Sequence, residues 1–164
     1  MSSKRLGKKE VSQWIRSNIP KDGLCLDVGA CDGVWSDLLR DHLIMIGVEI
    51  FEPNIVKYQL EKKYNVIFNA DVREFEYEHF DLIIFGDVIE HMSVEDAQNV
   101  LTYAYDRADQ IVVAVPFRYP QGAIYGNEYE RHIQDDLTHE LFLSRYQGFK
   151  PLYIYGDYGY YIKS

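Results

Sequence analysis

The sequence is poor in cysteine, in cationic side chains and in long apolar runs, and each shortage excludes something. Two cysteines among 164 residues, Cys25 and Cys31, do not make a disulfide framework. Lysine and arginine number 17 against 26 aspartates and glutamates, a formal net charge of -9. That balance disfavours nucleic acid, anionic membrane and other polyanions as partners. No apolar run approaches the length of a membrane span, and the N-terminal MSSKRLGKKEVSQWIRS has no signal-peptide core. A cytoplasmic protein is the expectation. The five histidines are spread out with no HExxH spacing, so no metal site is expected. Internal repeats and low-complexity segments are absent as well.

What is present suits one domain. A chain of 164 residues that is 47% hydrophobic can bury a real core, while its length argues against a second one. Residues 1–7 are polar and read as a loose, solvated tail.

The most informative stretch is residues 24–35, LCLDVGACDGVW. Leu24, Cys25, Leu26 and Val28 form a short apolar run that fits a strand buried on both faces of a parallel sheet. Gly29, Ala30, Cys31 and Gly33 then make a turn of small residues that lets backbone approach a ligand. Val34, Trp35, Leu38 and Leu39 resume at helical spacing. A strand, a glycine turn and a helix start usually hold a nucleotide. A dinucleotide site, however, seats pyrophosphate over GxGxxG, and here Cys31 and Val34 fill the second and third glycine positions. Asp27 and Asp32 flank the turn, and a carboxylate beside a pyrophosphate costs on the order of 4 kcal/mol per close pair at an effective dielectric near 20. Beside a cation the same groups attract.

Later strand ends repeat that choice. Glu49 follows the apolar run Leu43–Val48, about 20 residues past the turn, where an acid can accept both hydroxyls of a ribose. Asp71 follows Val66–Phe68, and Asp87 follows the strand Phe80–Phe85. In an open parallel sheet such strand ends face one crevice, so Asp27, Asp32, Glu49, Asp71 and Asp87 should converge on it. A ligand with a ribose and positive charge fits that crevice.

Helical stretches alternate with these strands. Lys8 to Asn18 places Val11, Trp14 and Ile15 on one face; Pro53 opens a helix backed by Ile55, Val56, Tyr58 and Leu60; Ser93 resembles an N-cap before Ala97, Val100, Leu101 and Ala104. The helix after the glycine turn is expected to end near Asp41, and any helix between Asp71 and the next strand must be short. A fifth strand covers Ile111–Val115, closed by Pro116, and Leu137 to Tyr146 reads as a helix with Leu141 and Phe142 inward. The chain ends in two β-rich runs about Gly156-Asp157, a hairpin signal. The alternation predicts an α/β, doubly wound, right-handed sheet.

The order DVGACDG, GVEIFEPN, NADVREF and FDLIIFGDVIEHM resembles the class I S-adenosylmethionine-dependent methyltransferases over nearly the whole chain. That resemblance implies a mostly parallel seven-stranded sheet with helices on both faces, and a terminal hairpin that inserts an antiparallel strand beside strand five. It also implies S-adenosylmethionine as cofactor and methyl transfer to a small molecule or metabolic intermediate. Asp27, Gly29 and Ala30, with Cys31 and Gly33 completing the turn, would line its methionine part. Glu49 would hold the ribose diol and Ile50 would pack on the adenine. Asp71 and Val72 would read the adenine edge, and Asp87 would lie near the methionine amine. Cys31 departs from the commoner glycine. The Asp-Pro-Pro-Tyr motif of enzymes that methylate exocyclic amines in nucleic acid is absent after strand four, which reads GDVIEH.

The acceptor side is less legible. Glu90 and His91 could face the substrate or could equally cap the next helix; Glu130 and His132 could be general base or substrate contacts, or solvated loop residues. Residues 117–136 lack periodicity for about twenty positions but carry too many tyrosines and isoleucines for disorder, so a lid is expected. Gly122 and Gly126 give it bends, and Tyr119, Tyr125 and Tyr129 give it apolar area with hydroxyls. The crevice carboxylates are assigned to a cationic ligand and not to Mg²⁺, so activity is expected to survive chelation. Two other readings stand beside the methyltransferase: a non-catalytic cofactor-binding or partner-regulating module, and a nicotinamide oxidoreductase, which the carboxylates on the turn oppose.

Overall fold

The computed structural model describes residues 6–164, so most of the expected N-terminal tail lies outside the described residues. Its elements are α1 (Lys8–Asn18), β1 (Leu24–Val28), α2 (Val34–Leu39), β2 (Ile44–Glu49), α3 (Glu52–Lys57), β3 (Val66–Asn69), β4 (Phe80–Gly86), α4 (Val94–Tyr105), β5 (Ala108–Pro116), α5 (His139–Arg145), β6 (Lys150–Tyr155) and β7 (Tyr158–Lys163).

The strands form one seven-stranded sheet in the order β3-β2-β1-β4-β5-β7-β6. β1 to β5 are parallel to one another; β7 runs antiparallel between β5 and β6. Because successive strand residues point to opposite faces, the sheet divides its apolar side chains between two cores. Leu26, Val28, Ile83, Phe85, Val113 and Val115 meet α4 and α5 on one face. Cys25, Met45, Leu82, Ile84 and Val112 meet α1 and α2 on the other. The strand order reverses at β1, where β2 lies to one side and β4 to the other, and loops leaving these strands at their C-terminal ends splay apart into a crevice.

Local differences from the sequence reading have physical causes. The helix opened by Pro53 does not continue to Leu60: Gln59 takes a left-handed conformation, φ 52°, and α3 ends at Lys57 with no buried residue. Val56, expected behind it, is 74% exposed, whereas Leu60 is buried from a separate 3-10 turn, Leu60–Lys62. The helix after the glycine turn stops at Leu39, two residues before Asp41. Among residues 71–79 there is a turn and no helix. α5 starts two residues after Leu137 because Thr138 caps it, its hydroxyl accepting from the Leu141 amide at 3.1 Å; Phe142 is buried but Leu141 only partly. Ser93 does cap α4, accepting from the Asp96 amide at 3.0 Å. At the N-terminal end Gly7, φ 78°, turns the chain into α1, and the Leu6 carbonyl accepts the Tyr160 hydroxyl at 2.6 Å.

Phe142 links α5 to the sheet. It is fully buried and stacks on Tyr161 of β7 with centroids 3.7 Å apart. Phe142→Ala should therefore cost about 3–5 kcal/mol of unfolding free energy by urea titration. A loss under 1 kcal/mol would show that this contact does not hold α5 down.

Candidate functional site

The turn after β1 is held by backbone. Gly29 and Ala30 donate their amides to the Val48 carbonyl of β2 at 2.9 and 3.1 Å. Gly29 lies at φ 72°, and a Cβ there would sit 2.5 Å from Val88 Cγ2, so glycine is required twice over. Cys31 is also left-handed, φ 45°, which explains why glycine is commoner at that position in the resembling family. Its amide donates to Glu49 Oε2 at 2.7 Å, while the Phe51 amide donates to Oε1 at 2.8 Å. One buried carboxylate thus ties the β1 turn to the loop after β2. Burial pushes Glu49 above the ordinary carboxylate range against these two bonds, and burial pushes the Cys31 thiol up to about 12.

Glu49 opens onto a cavity at the C-terminal ends of β1, β2, β4 and β5. Of the residues expected to bind cofactor, Gly29, Cys31, Glu49, Ile50, Asp71, Val72 and Asp87 line it. Asp27, Ala30 and Gly33 do not, nor does Asp32. Asp27 shares the sheet face of Cys25, where its Oδ2 accepts the Tyr64 hydroxyl at 2.5 Å and its Oδ1 has no partner. Asp32 turns back on its own loop to accept from the Val34 amide at 3.2 Å. The expected convergence of five carboxylates is therefore a convergence of three, Glu49, Asp71 and Asp87. Asp71 is forked by the Arg73 guanidinium, which holds its carboxyl below the usual range. Asp87, itself left-handed at φ 59°, accepts the Tyr158 hydroxyl on Oδ1 at 2.5 Å and faces Lys8 Nζ at 3.6 Å from Oδ2.

On the acceptor side, Glu90, His91, Glu130 and His132 all line the same cavity. The alternative that Glu90 and His91 cap the next helix falls away, since Ser93 fills that role. Glu90 and His91 belong to a 3-10 turn, Ile89–His91, directly after β4. Glu90 is fully buried and neither carboxylate oxygen has a hydrogen-bond partner; burial pushes its pKa well up. Burial likewise pulls His91 and His132 below the ordinary imidazole value. The two rings meet edge to face with centroids 4.7 Å apart. Residues 117–136 arch over this group. Tyr119, Gln121, Asn127 and Tyr129 join its wall, but Tyr125 projects fully into solvent.

Three contributors escaped the sequence reading. The sequence marks Lys8 only as the first residue of a helical stretch, yet it is 1% exposed, with Nζ 4.6 Å over the Trp35 ring and beside Asp87. Tyr158 lies in the second of the β-rich terminal runs, where the sequence singles out no site residue. Gln134, 4% exposed, carried no signal at all; its amide donates to the carbonyls of Ile89 and Met92 at 2.8 and 3.1 Å and accepts the Tyr146 hydroxyl at 2.8 Å. It fastens the 117–136 segment to the turn after β4.

A family described as methyltransferase domain matches residues 26–107. Among solved structures, magnesium protoporphyrin IX methyltransferase from Synechocystis with bound SAM is 17% identical, with 98% of this chain and 81% of that one covered at TM-score 0.59. The 1,6-didemethyltoxoflavin-N1-methyltransferase of Burkholderia thailandensis, with its substrate and S-adenosylhomocysteine bound, is 17% identical over 96% of this chain and 76% of that one, TM-score 0.66. The N-terminal domain of EvdMO1 with SAH bound is 12% identical over 98% and 82%, TM-score 0.72. At these identities the likeness establishes a shared fold. No curated protein matches the chain.

The position of Asp27 has a consequence for stability. Burial, offset in part by the Tyr64 hydroxyl and Lys8, pushes its pKa up to about 7. An acid whose folded value lies above its unfolded value of about 4 takes up a proton on folding, so it weakens the fold as pH rises between those two values. Asp27→Asn cannot ionise. Relative to wild type it should gain stability from pH 4 to 7, by roughly 1 kcal/mol per pH unit, and level off above. Urea unfolding across that range checks this, and a constant difference between the two proteins would place Asp27 in the ordinary carboxylate range.

Proposed function

The chain belongs to the methyltransferase domain family, and from that premise we propose that it transfers a methyl group from S-adenosylmethionine to a small-molecule acceptor. The observation that carries the cofactor assignment is Glu49, a buried carboxylate at the end of β2, oriented by two backbone N–H groups and open to a cavity. Each carboxylate oxygen keeps a lone pair beyond the one given to backbone, so Glu49 can accept both hydroxyls of a ribose. Ile50 gives the adenine apolar surface, with Asp71 and Val72 at its edge. Gly29 and Cys31 bring backbone close to the methionine part, where the carboxylate of Asp87 answers its ammonium. When bound, S-adenosylmethionine supplies a methyl group already activated by the positive sulfur.

The chain then has to align the acceptor and keep water out. In this reading residues 117–136 do both, with Glu130 and His132 lining the acceptor space beside Glu90 and His91. A base is needed only where the acceptor keeps a proton that suppresses its nucleophilicity. Support for a small acceptor comes from two directions: the porphyrin and toxoflavin methyltransferases that share the fold, and a net charge of -9, which opposes polyanions. A cytoplasmic setting belongs to the same reading, supported by the free thiols of Cys25 and Cys31. Among the described residues, no helix is long and apolar enough to cross a membrane.

Calorimetry with S-adenosylhomocysteine and NAD side by side should give binding of the first alone. Glu49→Gln should weaken that binding by roughly tenfold to a hundredfold, the effect of losing charge-assisted hydrogen bonds worth about 1.5–3 kcal/mol. Unchanged affinity would remove Glu49 from the site, and binding of NAD in preference would remove the methyltransferase reading.

A further inference from the structure

We propose that Glu90, His91 and His132 form a binding site for a divalent first-row transition metal on the acceptor side of the cavity. One donor atom from each of the three lies within 4.8 Å of the other two. At about 2.1 Å per bond, neighbouring ligands of a metal stand roughly 3–3.4 Å apart, so rotations that move each donor by about an ångström close the set. Two imidazoles and one carboxylate suit Mn²⁺, Fe²⁺, Co²⁺ or Zn²⁺ better than Mg²⁺ or Ca²⁺, which prefer oxygen throughout.

The surroundings prepare the two rings for this. His91 Nδ1 lies 3.2 Å from the Arg131 carbonyl and His132 Nδ1 lies 2.6 Å from the Tyr119 carbonyl. A carbonyl only accepts, so in the neutral ring each Nδ1 carries the proton and each Nε2 keeps its lone pair. Metal-ligating histidines are characteristically held in this way, by a second hydrogen bond that sets tautomer and ring orientation. The backbone brings the ligands together although 41 positions separate the two histidines: the amides of Ile133 and Gln134 both donate to the Glu90 carbonyl, at 2.8 and 3.0 Å.

Glu90 supplies the independent observation. Its side chain is fully buried, lines the cavity and finds no donor for either oxygen. A buried carboxylate in that state needs a cation or a proton. Lys8, the nearby buried cation, faces Asp87, whose other oxygen is taken by Tyr158. Glu90 is left to whatever enters the cavity.

A cation held by three protein ligands keeps positions for acceptor oxygen. Here the inference rests on the methyltransferase reading, narrows it to hydroxyl-bearing acceptors and replaces the expectation from sequence that there is no metal site and that activity survives chelation. The metal would lower the hydroxyl pKa and its proton would pass to solvent. The oxygen would form the new bond to the methyl carbon as the carbon–sulfur bond breaks and its electron pair stays on sulfur.

The test starts from the full chain, stripped by chelator and titrated with Mn²⁺ alone, the free ion being read by electron paramagnetic resonance. One Mn²⁺ per chain is expected, with at least about tenfold weaker binding in Glu90→Gln, which preserves shape, and in the His91→Ala/His132→Ala double variant. Circular dichroism verifies that the variants fold, and the visible spectrum of Co²⁺ bound to wild type reports nitrogen ligation without any variant. Wild type that takes up neither ion overturns the site and leaves Glu90 to a proton. Equal binding by wild type and both folded variants also overturns it, by putting the ion elsewhere. S-adenosylhomocysteine calorimetry on the stripped protein reads the cofactor proposal separately, so either can fail alone.

Discussion

Buried negative charge at the C-terminal ends of the parallel strands is the constraint on which the rest of this structure depends. Asp27, Glu49 and Glu90 are buried and Asp87 nearly so, while among the described residues Lys8 is the one buried cation. Each acid is accommodated differently. Glu49 is met by two backbone amides, Asp87 by Tyr158 and Lys8, Asp27 by the Tyr64 hydroxyl with the charge of Lys8 farther off, and Glu90 by no hydrogen-bond donor. Desolvating a carboxylate is costly unless hydrogen bonds or a cation compensate. The fold therefore carries a standing demand for positive charge on one side of the sheet, and the same demand accounts for the raised pKa values of Asp27, Glu49 and Glu90.

How far the sequence reveals this differs along the chain for physical reasons. β1, its glycine turn and the acids at the ends of β2 and β4 are legible because local rules specify them: an apolar run must be buried on both faces, and Gly29 must adopt positive φ beside Val88. The C-terminal hairpin is legible through its turn. Lys8 is not, because a lysine in the first turn of an amphipathic helix reads as solvated, and its burial depends on Trp35 and Asp87 arriving from distant segments. Asp27 was expected at the ligand for its place at the strand end, but side-chain alternation turns it toward Tyr64.

The pairing of Glu90 and His91 with His132 illustrates the same limit. Spacing motifs for metal ligands register donors that one helix or one short loop brings together. Here a 3-10 turn supplies two donors and a segment 41 residues away supplies the third, joined by backbone bonds to the Glu90 carbonyl and by the buried Gln134 side chain. No residue type or interval in the sequence encodes that register.

The cavity thus has two halves built on different principles. The cofactor half is rigid sheet and turn, with its groups set by parallel pairing and by a left-handed turn that tolerates few residues. The acceptor half is an irregular segment fixed at a few points: Arg118 N to Leu137 O at 2.8 Å joins its two ends, and Gln134 pins it to the turn after β4. Between those points Tyr119 and Gln121 face the cavity from irregular backbone, and Tyr129 and Glu130 from a single 3-10 turn, Glu128–Glu130. Substitutions there can reshape the acceptor space without disturbing the sheet. The anchors differ, because Gln134 is buried with its amide and carbonyl both engaged, and losing it would free the carbonyls of Ile89 and Met92 in the interior. Acceptor choice can therefore drift along the arch while the points that hold it beside Glu90 and His91 stay fixed.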